Sequence, residues 1–174
     1  HSVKFSLNVA GSGETREIKK INRTIVSLGM KDKVSFLGVV EGERLEQEIL
    51  HSDVLFAMGT SALEGAKLGI PTVLVDPGTR VPKNYGYRWL FESTDYCLGD
   101  IHKKNGGEKS LQQIAEELTS DNSLIVSDKC FEFTKLFDSE TVFEKMIEKL
   151  LDSRFRIGYF AESNFFNIIK RSIP

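Results

Sequence analysis

The residues best suited to chemistry lie in one short stretch, namely Gly59, Thr60, Ser61 and Glu64. Residues 53–57 before it form an apolar run typical of a β-strand. Residues 60–68 predict a short helix with Thr60 or Ser61 as its N-cap. A small-residue turn at the start of a helix leaves backbone N–H groups free and carries the positive end of the helix dipole. The stretch therefore predicts an anion site, and phosphate suits it best.

Ser61 and Glu64 also fit a purely structural interpretation. Their spacing is that of a capping box, in which a serine caps one backbone N–H and a glutamate reaches back to another. This arrangement would explain both residues without any ligand. Spacing alone leaves the two interpretations open.

The stretch belongs to a regular alternation of short strands and helices. Strands are predicted at residues 3–10, 33–37, 53–57 and 72–75, with helices at 14–28, 43–51 and 60–68. This order predicts an α/β fold, a Rossmann-like parallel sheet with right-handed crossovers and helices on both faces. Ligands of such sheets bind beyond the carboxyl ends of the strands. Three turns are expected to converge there, at residues 11–13, 38–40 and 59–61.

The second half of the chain predicts a loop, one more strand and three helices. Residues 77–92 are irregular and carry Arg80 and Lys83. A solvated loop is the favoured interpretation, and contact of these two cations with a phosphate or an acceptor is the alternative. The strand is expected at residues 95–99 and the helices at 111–118, 128–137 and 139–151. The last helix has an apolar stripe typical of core packing.

Composition excludes several classes of protein. The 174 residues are 40% hydrophobic and 28% charged, which is typical of a soluble globular domain. The net charge of −2 favours neither nucleic acid nor an anionic membrane as a partner. No apolar run approaches the roughly 18 residues of a membrane span. Cys97 and Cys130 lack metal-ligand spacing, so we expect reduced thiols in a cytoplasmic protein.

The first glycine turn permits a dinucleotide-binding interpretation. Gly11 and Gly13 follow the first strand, and Glu41 after the second strand could hold a ribose. The third glycine of that motif is replaced by Arg16, whose side chain would obstruct close packing of helix on strand. A nicotinamide- or flavin-binding protein therefore remains an alternative.

Four segments taken together resemble successive blocks of the GT-B glycosyltransferases. They are Leu-Asn-Val-Ala-Gly-Ser-Gly-Glu14, Lys-Val-Ser-Phe-Leu-Gly38, Ser-Asp-Val-Leu-Phe56 and Ser-Ala-Leu-Glu-Gly-Ala-Lys-Leu-Gly-Ile-Pro-Thr72. The likeness is strongest to the C-terminal, donor-binding domain of the retaining group called family 4. It extends in register from residue 3 to about residue 76.

The resemblance implies a site for a nucleoside diphosphate sugar of the UDP or GDP type. Its expected binding residues are Gly11, Ser12, Gly13, Val39, Val40, Gly59, Thr60, Ser61 and Glu64. Glu64 would hold the ribose hydroxyls, while the turn at residues 59–61 would hold phosphate. The turn at residues 11–13 would line the diphosphate, and the backbone at residues 39–40 would meet the base. No cofactor and no metal are expected.

The resemblance also implies how the chain is organised and what the intact protein does. Residues 1–152 are expected to bind the nucleotide-sugar, and residues 153–174 to form an aromatic-rich helical tail on a missing N-terminal acceptor domain. The intact enzyme would transfer a hexosyl unit to a glycan or a lipid-linked acceptor. It would act in the cytoplasm, with peripheral membrane contact at most. These 174 residues alone would be inactive.

The sequence departs from the family pattern within the site. The family commonly has a second glutamate eight residues before the ribose glutamate, and Phe56 stands there. The catalytic residues are therefore unknown. A sugar-nucleotide epimerase of GT-B architecture and a non-catalytic nucleotide-binding or scaffold domain remain alternatives.

Overall fold

A computed structural model describes residues 4–76, 85–94, 96–99, 107–119 and 122–152. Its strands are β1 (Leu7–Ala10), β2 (Val34–Gly38), β3 (Leu55–Ala57), β4 (Thr72–Leu74) and β5 (Arg88–Trp89). Its α-helices are α1 (Thr15–Ser27), α2 (Gly42–Leu50), α3 (Thr60–Lys67), α4 (Leu111–Thr119), α5 (Ser123–Thr134) and α6 (Ser139–Asp152). The predicted α/β fold class, with parallel strands and helices on both sides, is confirmed.

The first unit consists of β1, α1 and β2. The two strands pair in parallel, with Leu7 opposite Val34. Helix α1 ends as predicted at Gly29, whose φ of +66° favours glycine. The N–H of Met30 donates to the carbonyl of Ile25 at 2.9 Å, and the N–H of Gly29 to that of Val26 at 3.0 Å. These two bonds form a Schellman motif, which satisfies carbonyls at the end of the helix.

The second unit consists of β3, α3, β4 and β5. β3 and β4 are parallel, with Leu55 opposite Thr72, while β5 is antiparallel to β4. Gly69 (φ +78°) ends α3 in a second Schellman motif, where the N–H of Ile70 donates to the carbonyl of Gly65 at 3.1 Å. Among the described residues, strand ladders form two sheets, β1–β2 and β3–β4–β5.

Two local predictions after β4 are wrong. Arg88 and Trp89 form a strand where a loop was expected, and residues 96–99 form a turn where a strand was expected. A two-residue strand has too few positions to show alternation, so its pairing depends on tertiary packing. Trp89 is fully buried, and burial of its large ring holds β5 against β4.

The core lies around β4 and β5 and is covered by α3, α4 and α5. Its fully or nearly fully buried members are Ala62, Ala66, Val73, Leu74, Trp89, Leu90, Ile114, Val126 and Cys130. Cys130 of α5 is a free thiol, as predicted, and burial raises its pKa. Helix α5 begins at Ser123, five residues before the predicted start.

The apolar stripe of α6 does not pack into this core. Val142, Phe143, Met146 and Leu150 are each between 42% and 48% exposed. The core-packing interpretation is therefore wrong among the described residues. Periodicity shows that a helix has an apolar face, but it does not show what covers that face.

No helix in the described ranges is long and apolar enough to cross a lipid bilayer. The predicted tail, residues 153–174, lies outside those ranges, as do Arg80 and Lys83. The expectations for them remain predictions.

Candidate functional site

The turns predicted to bind the ligand follow β1, β2 and β3. The first two turns meet, because β1 and β2 are neighbours and the N–H of Gly11 donates to the carbonyl of Gly38 at 2.7 Å. The third turn, at Gly59, follows a strand of the other sheet. Proximity of the third turn to the first two remains a prediction.

Gly59 sets the direction in which α3 leaves β3. Its φ of 61° and ψ of −145° are adopted almost exclusively by glycine. A Cβ at this position would have no heavy atom within 4 Å, so the requirement for glycine comes from the backbone alone. The N–H of Gly59 donates to the carbonyl of Leu98 at 2.7 Å, which ties the turn to residues 96–99.

Thr60 and Ser61 lie inside α3 rather than before it. The helix begins at Thr60, and neither hydroxyl makes a capping hydrogen bond. The first backbone N–H groups of a helix have no partner within it, and no described residue accepts from the N–H of Thr60 or Ser61. Both N–H groups therefore remain for an anion, together with the positive end of the helix dipole.

Glu64 is not part of a capping box. That motif requires Ser61 to precede the helix, but Ser61 is its second residue. The side chain of Glu64 is exposed, and it makes no hydrogen bond or ion pair with any described residue. Its carboxylate therefore has no structural role among the described residues and is open to a ligand.

Gly65 places α3 close to β3 and so positions Glu64. A Cβ on Gly65 would lie 2.2 Å from Cδ2 of Leu55 and 3.4 Å from Oγ1 of Thr72. The buried small residues Ala62 and Ala66 complete this contact face. Sequence reasoning missed this role for Gly65, although three small residues at helical spacing were the available signal.

A buried ion pair holds the end of β4. Arg88 makes two hydrogen bonds to the carboxylate of Asp76, at 2.6 and 2.7 Å, and their side chains are 13% and 4% exposed. The hydroxyl of Tyr85 donates to the same carboxylate at 3.1 Å and accepts from the backbone N–H of Asp76. The hydrogen bond to Asp76 raises the pKa of Arg88, while burial raises the pKa of Tyr85. The network therefore links Asp76 to Tyr85, the described residues on either side of residues 77–84.

A second network joins β5 to α4. Glu117 accepts from Nε1 of Trp89 at 2.6 Å and from Nζ of Lys109 at 2.9 Å, and Lys109 also contacts Glu92 at 3.1 Å. Burial acts to raise the pKa of Glu117, but hydrogen bonds from Trp89 and Lys109 lower it below its usual value. The hydrogen bond to Glu117 raises the pKa of Lys109. This network stabilises the packing of β5 against α4.

The remaining predicted contacts lie at the β1–β2 end. Ser12, Gly13 and Val39 are exposed, and Val40 is buried. Arg16 is exposed on α1 and lines an open concavity beside Lys19. The expected obstruction of helix–strand packing by Arg16 remains a prediction.

Phe56 lies eight residues before Glu64, at the position for which the sequence resemblance implies a glutamate. Its ring is 5.9 Å from that of Tyr87 in an edge-to-face contact, and Tyr87 is 5.2 Å from Tyr85. These three rings extend the Asp76 network towards β3. Phe56 is 38% exposed, so an apolar surface lies where a carboxylate would offer acceptors.

Comparison with known proteins identifies a fold. No family model matches the sequence, and no curated protein sequence matches it. Among solved structures, the Anabaena protein HepE in complex with UDP and glucose superposes with a TM-score of 0.55 and 17% identity, over 85% of this chain and 41% of that chain. The chain has a GT-B glycosyltransferase-like fold.

Two further HepE structures agree with this result. The complex with UDP gives a TM-score of 0.53 at 16% identity, and the complex with UDP-glucose gives 0.52 at 17%. These superpositions cover 86% and 85% of this chain, and 41% of HepE in each case. The chain therefore spans about two fifths of the length of HepE.

Proposed function

We propose that this chain is the nucleotide-sugar-binding domain of a GT-B glycosyltransferase of the family 4 type. The intact protein would transfer a hexosyl unit from a UDP- or GDP-sugar to a glycan or a lipid-linked acceptor. The observation that carries the proposal is the start of α3, where the N–H groups of Thr60 and Ser61 and the carboxylate of Glu64 lack partners among the described residues. The solved HepE structures with UDP and UDP-glucose support the same class of ligand.

The phosphate would bind at the beginning of α3. Two free N–H groups and a helix dipole equivalent to roughly half a charge favour an anion there. In the transfer reaction these groups would stabilise the charge that develops on the leaving diphosphate. The N–H of Gly59 already donates to the carbonyl of Leu98, so the phosphate would accept hydrogen bonds from Thr60 and Ser61.

Glu64 would bind the ribose. A carboxylate can accept from two adjacent hydroxyls, and each charge-assisted bond contributes about 1.5–3 kcal/mol. The backbone of Val39 and Val40 would meet the base, and Gly11, Ser12 and Gly13 would line the diphosphate. The contact between Gly11 and Gly38 supports this arrangement, because it brings the two turns into one surface.

Calorimetry with UDP, GDP, UDP-glucose and NAD tests the proposal. We expect UDP or GDP to bind and NAD to show no heat of binding. Tight binding of NAD without binding of either diphosphate would replace the proposal with a dinucleotide-binding function. We expect no sugar transfer by these 174 residues alone, because the acceptor would be held by a separate N-terminal domain.

Phe56 favours a second candidate, a non-catalytic nucleotide-binding domain. A phenyl ring cannot accept the hydrogen bonds of sugar hydroxyls, and its contact with Tyr87 holds it in an aromatic cluster. Under this candidate the chain binds UDP and UDP-glucose equally well, since the sugar adds no polar contact. Tighter binding of UDP-glucose than of UDP would favour the transferase.

A further inference from the structure

Four basic residues form a row along one face of α1. They are Arg16, Lys19, Lys20 and Arg23, and with Thr15 they line an open concavity. At 100° per residue these positions fall within about 100° of the helix circumference. The row is about 10 Å long, because a helix rises 1.5 Å per residue. All four residues are exposed.

No acidic residue neutralises this row within the described part of the chain. None of the four side chains takes part in an ion pair or a side-chain hydrogen bond there. Glu17 is the one acidic residue of α1, and it lies about 100° around the helix from Arg16. The protein's charge is therefore unevenly distributed, although its net charge is only −2.

The spacing of the row lowers the stability of the helix. Arg16 and Lys20, like Lys19 and Arg23, are four residues apart, and like charges at this spacing repel. On the opposite face of α1, Ile18 and Ile25 are half-buried. Packing therefore does not explain the row, which suits an anionic partner outside the fold.

We infer that this face of α1 docks on an anionic lipid bilayer. Lys and Arg side chains near the surface of an anionic membrane attract it, and exposed apolar side chains beside them enter the headgroup boundary. Val26 is 62% exposed and follows Arg23 by three residues and Lys19 by seven, so it continues the basic face.

Nucleic acid fits this face less well. Surfaces that bind single strands place aromatic rings among the basic residues to stack bases, and α1 contains no aromatic residue. An exposed valine beside the row has no use on a phosphate backbone, whereas it contributes directly at a bilayer.

Sedimentation with lipid vesicles tests the inference. The chain is mixed with vesicles of equal parts phosphatidylglycerol and phosphatidylcholine, or of phosphatidylcholine alone, at about 0.1 M and about 1 M salt. We expect binding only to the anionic vesicles and only at low salt. The double variant Lys19→Gln/Arg23→Gln should reduce the partition coefficient about 25-fold, since each basic residue at the surface contributes about fivefold.

The matched control removes two lysines at the same spacing from another helix. Lys145→Gln/Lys149→Gln in α6 keeps the row intact and should bind vesicles like the unaltered chain. Equal losses in the two variants, equal binding to both kinds of vesicle, or no binding at all would overturn the inference. Tighter binding to polyuridylate or polyglutamate than to anionic vesicles would also overturn it. Calorimetry with UDP should be the same for all variants, so that failure here leaves the proposed function standing.

Discussion

The backbone N–H of Gly59 donates to the carbonyl of Leu98 at 2.7 Å. This bond joins the turn that starts α3 to a segment about forty residues further along the chain. It holds Gly59 in a backbone conformation that other residues rarely adopt. The candidate phosphate site is therefore fixed from outside its own helix.

Gly59→Ala should destabilise the protein by about 1–3 kcal/mol, because alanine must adopt the strained conformation of Gly59. Urea denaturation measures the free energy of unfolding. Gly13→Ala is the matched control, since Gly13 has no positive φ and its added Cβ would only touch Ile18 at 3.8 Å. Equal stability of the two variants would show that the turn relaxes freely.

Gly65→Ala should cost about 1–3 kcal/mol through overpacking against Leu55. The double variant Leu55→Ala/Gly65→Ala should show a coupling of about 1 kcal/mol or more, because the smaller residue 55 leaves room for the new methyl group. The free energies of unfolding of the parent chain, the two single variants and the double variant check this prediction. Additive changes in the free energy of unfolding would mean that a methyl group at residue 65 does not clash with Leu55.

Arg88→Met should destabilise the protein by about 3–5 kcal/mol, since it removes both guanidinium hydrogen bonds from the buried carboxylate of Asp76. Lys135→Met is the control, because Lys135 pairs with Glu132 at 2.6 Å on the surface, where both side chains are more than half exposed. Such pairs contribute about 0–1 kcal/mol. Thermal or urea unfolding of both variants measures whether the buried ion pair contributes more to stability than the exposed one.

Stability should depend on pH through Glu117. Its pKa is lowered in the folded protein, so its contribution is complete above the ordinary value of about 4.3 and is lost as the pH falls through the lowered folded value. The melting temperature of Glu117→Gln should therefore fall less steeply with acid than that of the parent chain. Glu144→Gln, which alters an exposed residue of α6, should lose melting temperature with acid as steeply as the parent chain. Parallel acid profiles for the parent chain and Glu117→Gln would contradict the assignment.

The sequence was a good guide to elements that local chemistry determines. The ends of α1 and α3 were predictable because Gly29 and Gly69 adopt positive φ in Schellman motifs. The strands β1 to β4 were predictable from short apolar runs bounded by turn residues.

Features that depend on distant partners were not predictable. The strand β5 exists because Trp89 is buried against β4, and the bond from Gly59 to Leu98 links segments far apart in sequence. The capping box failed for a local reason, since α3 starts one residue before Ser61. Of the candidate site, the turn at the start of α3 was predicted, while the networks around Asp76 and Glu117 were not.

Glu64→Gln tests whether Glu64 binds the ribose. Glutamine keeps the size of the side chain but offers one good acceptor in place of two, so a ribose would lose a hydrogen bond. Because Glu64 has no partner among the described residues, the melting temperature should not change. Glu144→Gln in α6 is the matched control for loss of one surface charge.

The decisive measurement is the calorimetric affinity of the parent chain and these two variants for UDP and GDP. We expect Glu64→Gln to weaken binding of the preferred diphosphate about tenfold or more, or about 1.4 kcal/mol, at unchanged melting temperature, while Glu144→Gln binds like the parent. Equal affinity of Glu64→Gln and the parent chain would contradict the assignment of Glu64 to the ribose and the site built around it.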